Sequence, residues 1–78
     1  MSFELAQLVF DDPIAASRPD DHADRNRWQT IGLVGNSVLF VVHTEPEMDA
    51  TLEIAPGRII SARRATSHER RAYEEGYF

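Results

Sequence analysis

The run Trp28-Gln29-Thr30-Ile31-Gly32-Leu33-Val34, then Gly35-Asn36, then Ser37-Val38-Leu39-Phe40-Val41-Val42-His43-Thr44, decides the fold. Trp28 to Val34 is rich in aromatic and β-branched residues and reads as a strand. Gly35-Asn36 is a two-residue hairpin signal, because both residue types tolerate positive φ. Ser37 to Thr44 is apolar on both faces, which predicts a central strand. Downstream, Pro46 to Gly57 is a long acidic connection in which Thr51 to Ile54 is placed to pair locally. Arg58 to Arg63 is a further strand. Thr66-Ser67-His68-Glu69 then fits a capping box, with Thr66 as N-cap and Glu69 reaching back to its amide. Ala72 and Tyr73 give the second helix its apolar contact, and Gly76 is a natural residue to end it.

Upstream of the hairpin, Phe3 to Phe10 reads as a short helix capped by Ser2. Phe3, Ala6 and Phe10 fall on one face, with Leu5, Leu8 and Val9 beside it. Asp11-Asp12-Pro13 ends it, since the residue before proline is pushed out of the α region. Ile14 to Arg18 is extended, and Pro19 to Asp24 is an exposed acidic loop. The order helix, strands, helix predicts an α+β domain: an antiparallel β-meander sheet packed against N- and C-terminal helices.

Composition narrows the function. A chain of 78 residues holds one core, so residues 1–78 are expected to be a single domain. Zero cysteine excludes a disulfide scaffold and a thiolate zinc site. The longest apolar stretch, Val38 to Val42, falls far short of the roughly 20 residues that span a bilayer. No basic segment precedes an apolar one at the start, so the expectation is a cytoplasmic protein with no membrane partner. The net charge of −5 is unevenly placed. Residues 1–24 and 45–57 are acidic, whereas residues 58–71 hold five arginines against Glu69 alone. Every basic residue is arginine, whose fork matches phosphate bidentately, so this block is either an anion site or solvated surface charge.

Arg58-Ile59-Ile60-Ser61-Ala62-Arg63-Arg64-Ala65-Thr66, followed by Glu69-Arg70-Arg71-Ala72-Tyr73-Glu74, resembles the BrnT-type toxins of bacterial toxin–antitoxin pairs. Ser2-Phe3-Glu4 with Val9-Phe10-Asp11-Asp12-Pro13, Arg27-Trp28 with Ile31-Gly32, and Val41-Val42-His43-Thr44 extend the resemblance over nearly all of the chain. It implies a RelE-like fold and a ribonuclease that inhibits translation and is neutralised by a ribbon-helix-helix antitoxin. Other members carry a strand and a helix before the point matching Met1, so the chain is expected to be N-terminally truncated relative to the family. Truncation would bare apolar surface and a sheet edge, which predicts a homodimer for the isolated chain. The alternative function is a noncatalytic module that binds the antitoxin or itself.

RNA hydrolysis without a metal needs a base for the 2′-hydroxyl, cations for the phosphorane and an acid for the leaving oxygen. No cofactor is expected, because Asp20, Asp21, His22 and Asp24 match no recognised metal spacing. With the resemblance, the catalytic expectation falls on Arg63, Arg64 and His43. Arg63 and Arg64 end a strand just before a helix N-terminus, and adjacent strand residues point to opposite faces. By alternation Arg63 shares a face with Ser61 and Ile59. His43 closes the central strand, where a base titrating near neutrality would sit, although a lone histidine at a strand end is more often satisfied structurally. Arg27, Arg70, Arg71 and Tyr73 are expected to bind RNA. Against this, Arg70 and Arg71 stand four residues before Glu74 and Glu75 for ion pairing, and Tyr73 is suited to core packing. His68, in the first helical turn, suits a proton acceptor although first-turn exposure is the commoner explanation, and Glu69 is explained by the capping box.

Overall fold

A computed structural model describes residues 2–20, 27–44, 47–48, 54–55 and 58–78. Helix α1 spans Phe3–Ala6 and continues as a 3-10 helix, Gln7–Asp11. Strands β1 (Ala16–Pro19), β2 (Arg27–Val34), β3 (Ser37–Thr44), β4 (Glu47–Met48), β5 (Ile54–Ala55) and β6 (Ile59–Arg64) follow, then helix α2 (Ser67–Glu75). Strands β1-β2-β3-β6 form an antiparallel sheet in that order, and β4 pairs with β5 alone. The predicted α+β meander is therefore present, with the β4–β5 pair inserted in the acidic connection. The predicted loop from Pro19 to Asp24 and the start of local pairing at Thr51 lie largely outside the described residues.

The hairpin forms where its sequence placed it. Val34 pairs with Ser37 across the turn, and Gly35 takes a φ of 60°, which a β-carbon would oppose. β3 lies between β2 and β6, which explains why it is apolar on both faces. Alternation sends Leu39, Val41 and His43 to one side and Val38, Phe40 and Val42 to the other. The N-terminal helix covers the first side, where Ala6, Val9, Leu39, Val41 and Ile59 form one buried cluster. The buried residues of that helix are Ala6 and Val9, three apart. Phe3 and Phe10, expected to lead its inner face, are half exposed, because the tightening to 3-10 geometry after Ala6 changes which residues face the sheet. On the other side, Phe78, beyond α2, sets its ring edge-on to Phe40 at 6.2 Å.

β6 departs from simple alternation. Ser61 pairs with Val42 but Ile59 pairs with His43, leaving Ile60 as the extra residue of a bulge. The bulge turns Ile59 into the same buried cluster that Ala62 packs against. Arg63 thus shares its face with Ser61 and not, as alternation implied, with Ile59.

Candidate functional site

Arg63 and Arg64 point to opposite faces of β6. Arg63 lies over the ring of Phe40, 4.3 Å from its centroid, and bonds Glu69 through both guanidinium nitrogens at 2.7 and 2.9 Å. The Arg63 bonds hold the Glu69 carboxyl at about 2, outweighing a partial burial that opposes them. Those same bonds raise Arg63 above its ordinary value. Glu69 also accepts from the Thr66 amide at 2.9 Å, while Thr66 Oγ1 accepts from the Glu69 amide at 3.2 Å. The predicted capping box is present, with Arg63 added to it.

Arg64 stands opposite Leu39 on the helix side of the sheet. An open groove of about 370 Å³ is lined by Leu5, Val34, Ser37, Leu39 and Arg64. The Arg64 guanidinium makes no hydrogen bond or ion pair among the described residues, and the same holds for Arg70 and Arg71. His68 and Arg71, one turn apart on α2, line a second open recess of about 320 Å³ with Ser67. Strand end and helix start together hold Arg64, His68, Arg70 and Arg71 in eight consecutive positions.

His43 belongs to a different region. Its ring is 8% exposed, meets Phe10 edge-on at 4.9 Å, and has both nitrogens engaged. Nδ1 donates to the Thr44 carbonyl at 2.9 Å, since a carbonyl only accepts. A neutral ring then accepts at Nε2 from Thr30 Oγ1, at 2.6 Å, and Thr30 in turn accepts from Ser17 Oγ at 2.7 Å. His43 lies four positions along β3 from the Arg64 level, about 13 Å along the strand. Arg63, Arg64 and His43 are therefore not brought together. Arg27, paired with Thr44, stands at that distant end as well and on the opposite face.

Tyr73 is half-buried and donates its hydroxyl to Asp12. Partial burial first, and then the Asp12 carboxylate, push its phenol up to about 12. Asp12 also accepts from the amides of Leu33 at 2.8 Å and Ile14 at 3.0 Å, and these bonds lower its carboxyl below the ordinary value. Sequence reasoning read Asp12 only as part of a helix terminator. An aspartate just before Pro-Ile is an Asx-turn signal for the Ile14 amide, but nothing local points to Leu33 or Tyr73.

Among the described residues, no group of three or more His, Asp or Glu is placed to hold a metal ion. No helix among them is long and apolar enough to cross a membrane. No curated protein and no solved structure gives a significant match to the chain. The family model for the ribonuclease toxin, BrnT, of type II toxin–antitoxin systems matches residues 1–69. That stretch includes Arg63, Arg64 and His43 and ends at Glu69, before Arg70, Arg71 and Tyr73. With nearly nine-tenths of its length inside that match, the chain belongs to the BrnT family of ribonuclease toxins.

Proposed function

We propose that this chain is a metal-independent RNA endonuclease that acts in the cytoplasm, inhibits translation, and is neutralised by a ribbon-helix-helix antitoxin. The observation that carries the site is the guanidinium of Arg64, without a hydrogen bond or ion pair among the described residues, in an open groove beside the start of α2. A guanidinium without an acid partner is available to a phosphate, whereas that of Arg63 is committed to Glu69. Arg64 contacts the scissile phosphate and stabilises the charge that grows on it. Arg70 and Arg71 hold neighbouring phosphates of the strand. Arg63 acts through Glu69 as a positioning residue that fixes the junction of β6 and α2.

The proton acceptor with access to solvent is His68, which shares its recess with Arg71. His43, enclosed and bonded at both nitrogens to the sheet residues Thr30 and Thr44, packs its ring against Phe10 of the N-terminal helix and serves the structure. In the reaction, a base takes the 2′-hydroxyl proton and the 2′-oxygen attacks phosphorus. The bond to the 5′-oxygen then breaks, and that oxygen takes a proton. The products are a cyclic phosphate and a free 5′-hydroxyl. As in the RelE-type ribonucleases that the family resembles, the cations do most of this and no single acid–base pair is required.

The test is RNA cleavage in EDTA by the purified chain, beside Arg64→Ala and Arg63→Ala. Arg64→Ala is expected to lose at least about 100-fold in rate with native circular dichroism, in the range of a lost oxyanion donor. Full activity in folded Arg64→Ala would overturn the site, and no cleavage by the parent chain would overturn the enzyme. The exposed Phe3, Leu5, Leu8 and Phe10 favour a second reading, a noncatalytic module that binds the antitoxin or forms a homodimer. A monomer mass by light scattering at micromolar concentration would count against the homodimer.

A further inference from the structure

The face of the sheet turned away from the N-terminal helix carries a row of cations and rings. The guanidinium carbon of Arg18 lies 4.2 Å from the ring centroid of Phe78, Phe78 stands edge-on to Phe40 at 6.2 Å, and Arg63 covers Phe40 at 4.3 Å. Arg18, Phe40 and Arg63 belong to the sheet, on β1, β3 and β6. Phe78 does not. It arrives from beyond α2, where Gly76 takes a φ of 78° and the amides of Gly76 and Tyr77 both donate to the Ala72 carbonyl. That reversal lays the tail back over the sheet, where Phe78 is half-buried while Tyr77 is exposed.

The place that Phe78 fills has the chemistry of a nucleobase slot. A flat ring lies against a guanidinium with an aromatic side chain beside it, the surroundings in which unpaired bases are held. Arg18 is held there without help from the ring: its Nε donates to Gln29 Oε1 at 2.7 Å, and Gln29 Nε2 donates to Asp20. The terminal nitrogens of Arg18 make no hydrogen bond among the described residues, which leaves them to a phosphate. An acidic side chain would use that charge but not the flat slot beside it. The tail is held lightly, by one exposed cation–π contact and one ring pair, against the freedom that Tyr77 and Phe78 lose. Resting on the RNA reading, we infer that Phe78 occupies a base slot and competes with the substrate for it. An unpaired base of the RNA displaces Phe78, stacks on Arg18 beside Phe40, and the tail swings away. Helix α2 carries His68, Arg70 and Arg71 in its N-terminal half and this tail beyond its end, so one helix joins the phosphate contacts to the access of the slot.

The experiment follows, by fluorescence anisotropy, the binding of a 2′-O-methyl oligoadenylate of about eight nucleotides to the purified chain. That strand has no free 2′-hydroxyl to attack phosphorus, so the result does not depend on whether the chain cleaves RNA. Phe78 lies outside the buried cluster of the core, so its variants are expected to fold. Phe78→Ala removes the competitor and should tighten binding about tenfold, the gain expected when the slot is open in roughly a tenth of the molecules. Phe78→Trp, with the better ring face for Arg18, should weaken binding. Arg18→Ala in the Phe78→Ala chain should abolish the gain. An abasic phosphodiester of the same length should bind Phe78→Ala and the parent equally. Unchanged RNA affinity in folded Phe78→Ala overturns the inference, and weaker affinity does so as well, since Phe78 would then be the platform on which the base stacks. An equal gain for the abasic strand also overturns it, because the tail would then screen charge alone. Absence of cleavage by the parent, with the gain in binding intact, overturns the enzyme and leaves the slot standing.

Discussion

The paired hydrogen bonds from Arg63 to Glu69 tie the end of β6 to the first turn of α2, and their contribution depends on pH. Glu69 titrates at about 2 in the folded chain against an ordinary 4.5, so its carboxylate is favoured by folding. The stabilisation is complete above the unfolded value and is lost as pH falls from there towards about 2. Glu69→Gln keeps a side chain able to cap Thr66 but removes the charge. The thermal midpoint of the variant should lie below that of the parent near neutrality, and the gap should close on acidification through that window. A gap that does not change with pH would mean that the charge contributes nothing. His43 gives a second prediction at this scale. Thr30→Val removes the hydroxyl between Ser17 Oγ and His43 Nε2 and leaves a buried ring nitrogen without its donor. The expected loss is about 1–3 kcal/mol by chemical denaturation. Such a loss with cleavage retained would confirm the histidine as an internal strut. That a lone histidine at a strand end is more often structural was legible in the sequence, but its partner was not, because the residue looks the same whether it faces Thr30 or water.

Among the elements, the hairpin and α2 were the most legible, because each carries its own punctuation. Gly35-Asn36 fixes one, while Thr66, Glu69 and Gly76, with its φ of 78°, fix the other. The bulge at Ile60 was not legible, since Ile59-Ile60-Ser61-Ala62 has no glycine and alternation is the natural reading. What selects the bulge is tertiary: it brings Ile59 into the cluster with Ala6 and Val41. The N-terminal helix was legible in position but not in orientation, and Gly32 shows why. A β-carbon at Gly32 would stand 3.0 Å from the Val9 carbonyl oxygen and 3.3 Å from Ala15 Cβ. The 3-10 helix therefore lies directly on strand β2 there, through its backbone, and Val9 is buried where Phe10 is not. Two effects compete in Gly32→Ala. Less backbone freedom in the unfolded chain favours the variant by about 0.4–1 kcal/mol. The clash falls on a backbone oxygen, which cannot rotate aside, and overpacking costs roughly 1–3 kcal/mol. The clash should win, so the urea midpoint is expected to fall with the slope unchanged. A raised midpoint would mean that the helix rides outward freely and is not seated on the glycine.

At the scale of the whole molecule, the question is what makes two helices at opposite ends of the chain part of one cooperative structure. Tyr73 and Asp12 are 61 residues apart, and their hydrogen bond is the side-chain link between α2 and the turn after the N-terminal helix. Asp12 holds the Leu33 and Ile14 amides as well, so one carboxylate joins the N-terminal turn, the end of β2 and the C-terminal helix. No local pattern encodes a contact of that separation, which is why composition and periodicity gave the elements but not their junction. Tyr73→Phe keeps the ring and removes only the hydroxyl, so it isolates the link from the packing. If the link couples the helices, amide exchange across 67–75 should speed up more than exchange in β2 and β3, with α2 opening as a separate unit below the global stability. The partner variant Asp12→Ala should add little when Tyr73 is already phenylalanine as far as α2 is concerned, because both remove the same bond. It should still loosen the Leu33 and Ile14 amides, which Tyr73→Phe leaves bonded. Equal acceleration in α2 and the sheet would show that α2 is held without the Asp12 bond, by Ala72 and by the Arg63 bonds to Glu69 at its first turn. The candidate site would then depend on the junction of β6 and α2, and the Asp12 bond would serve only the N-terminal turn.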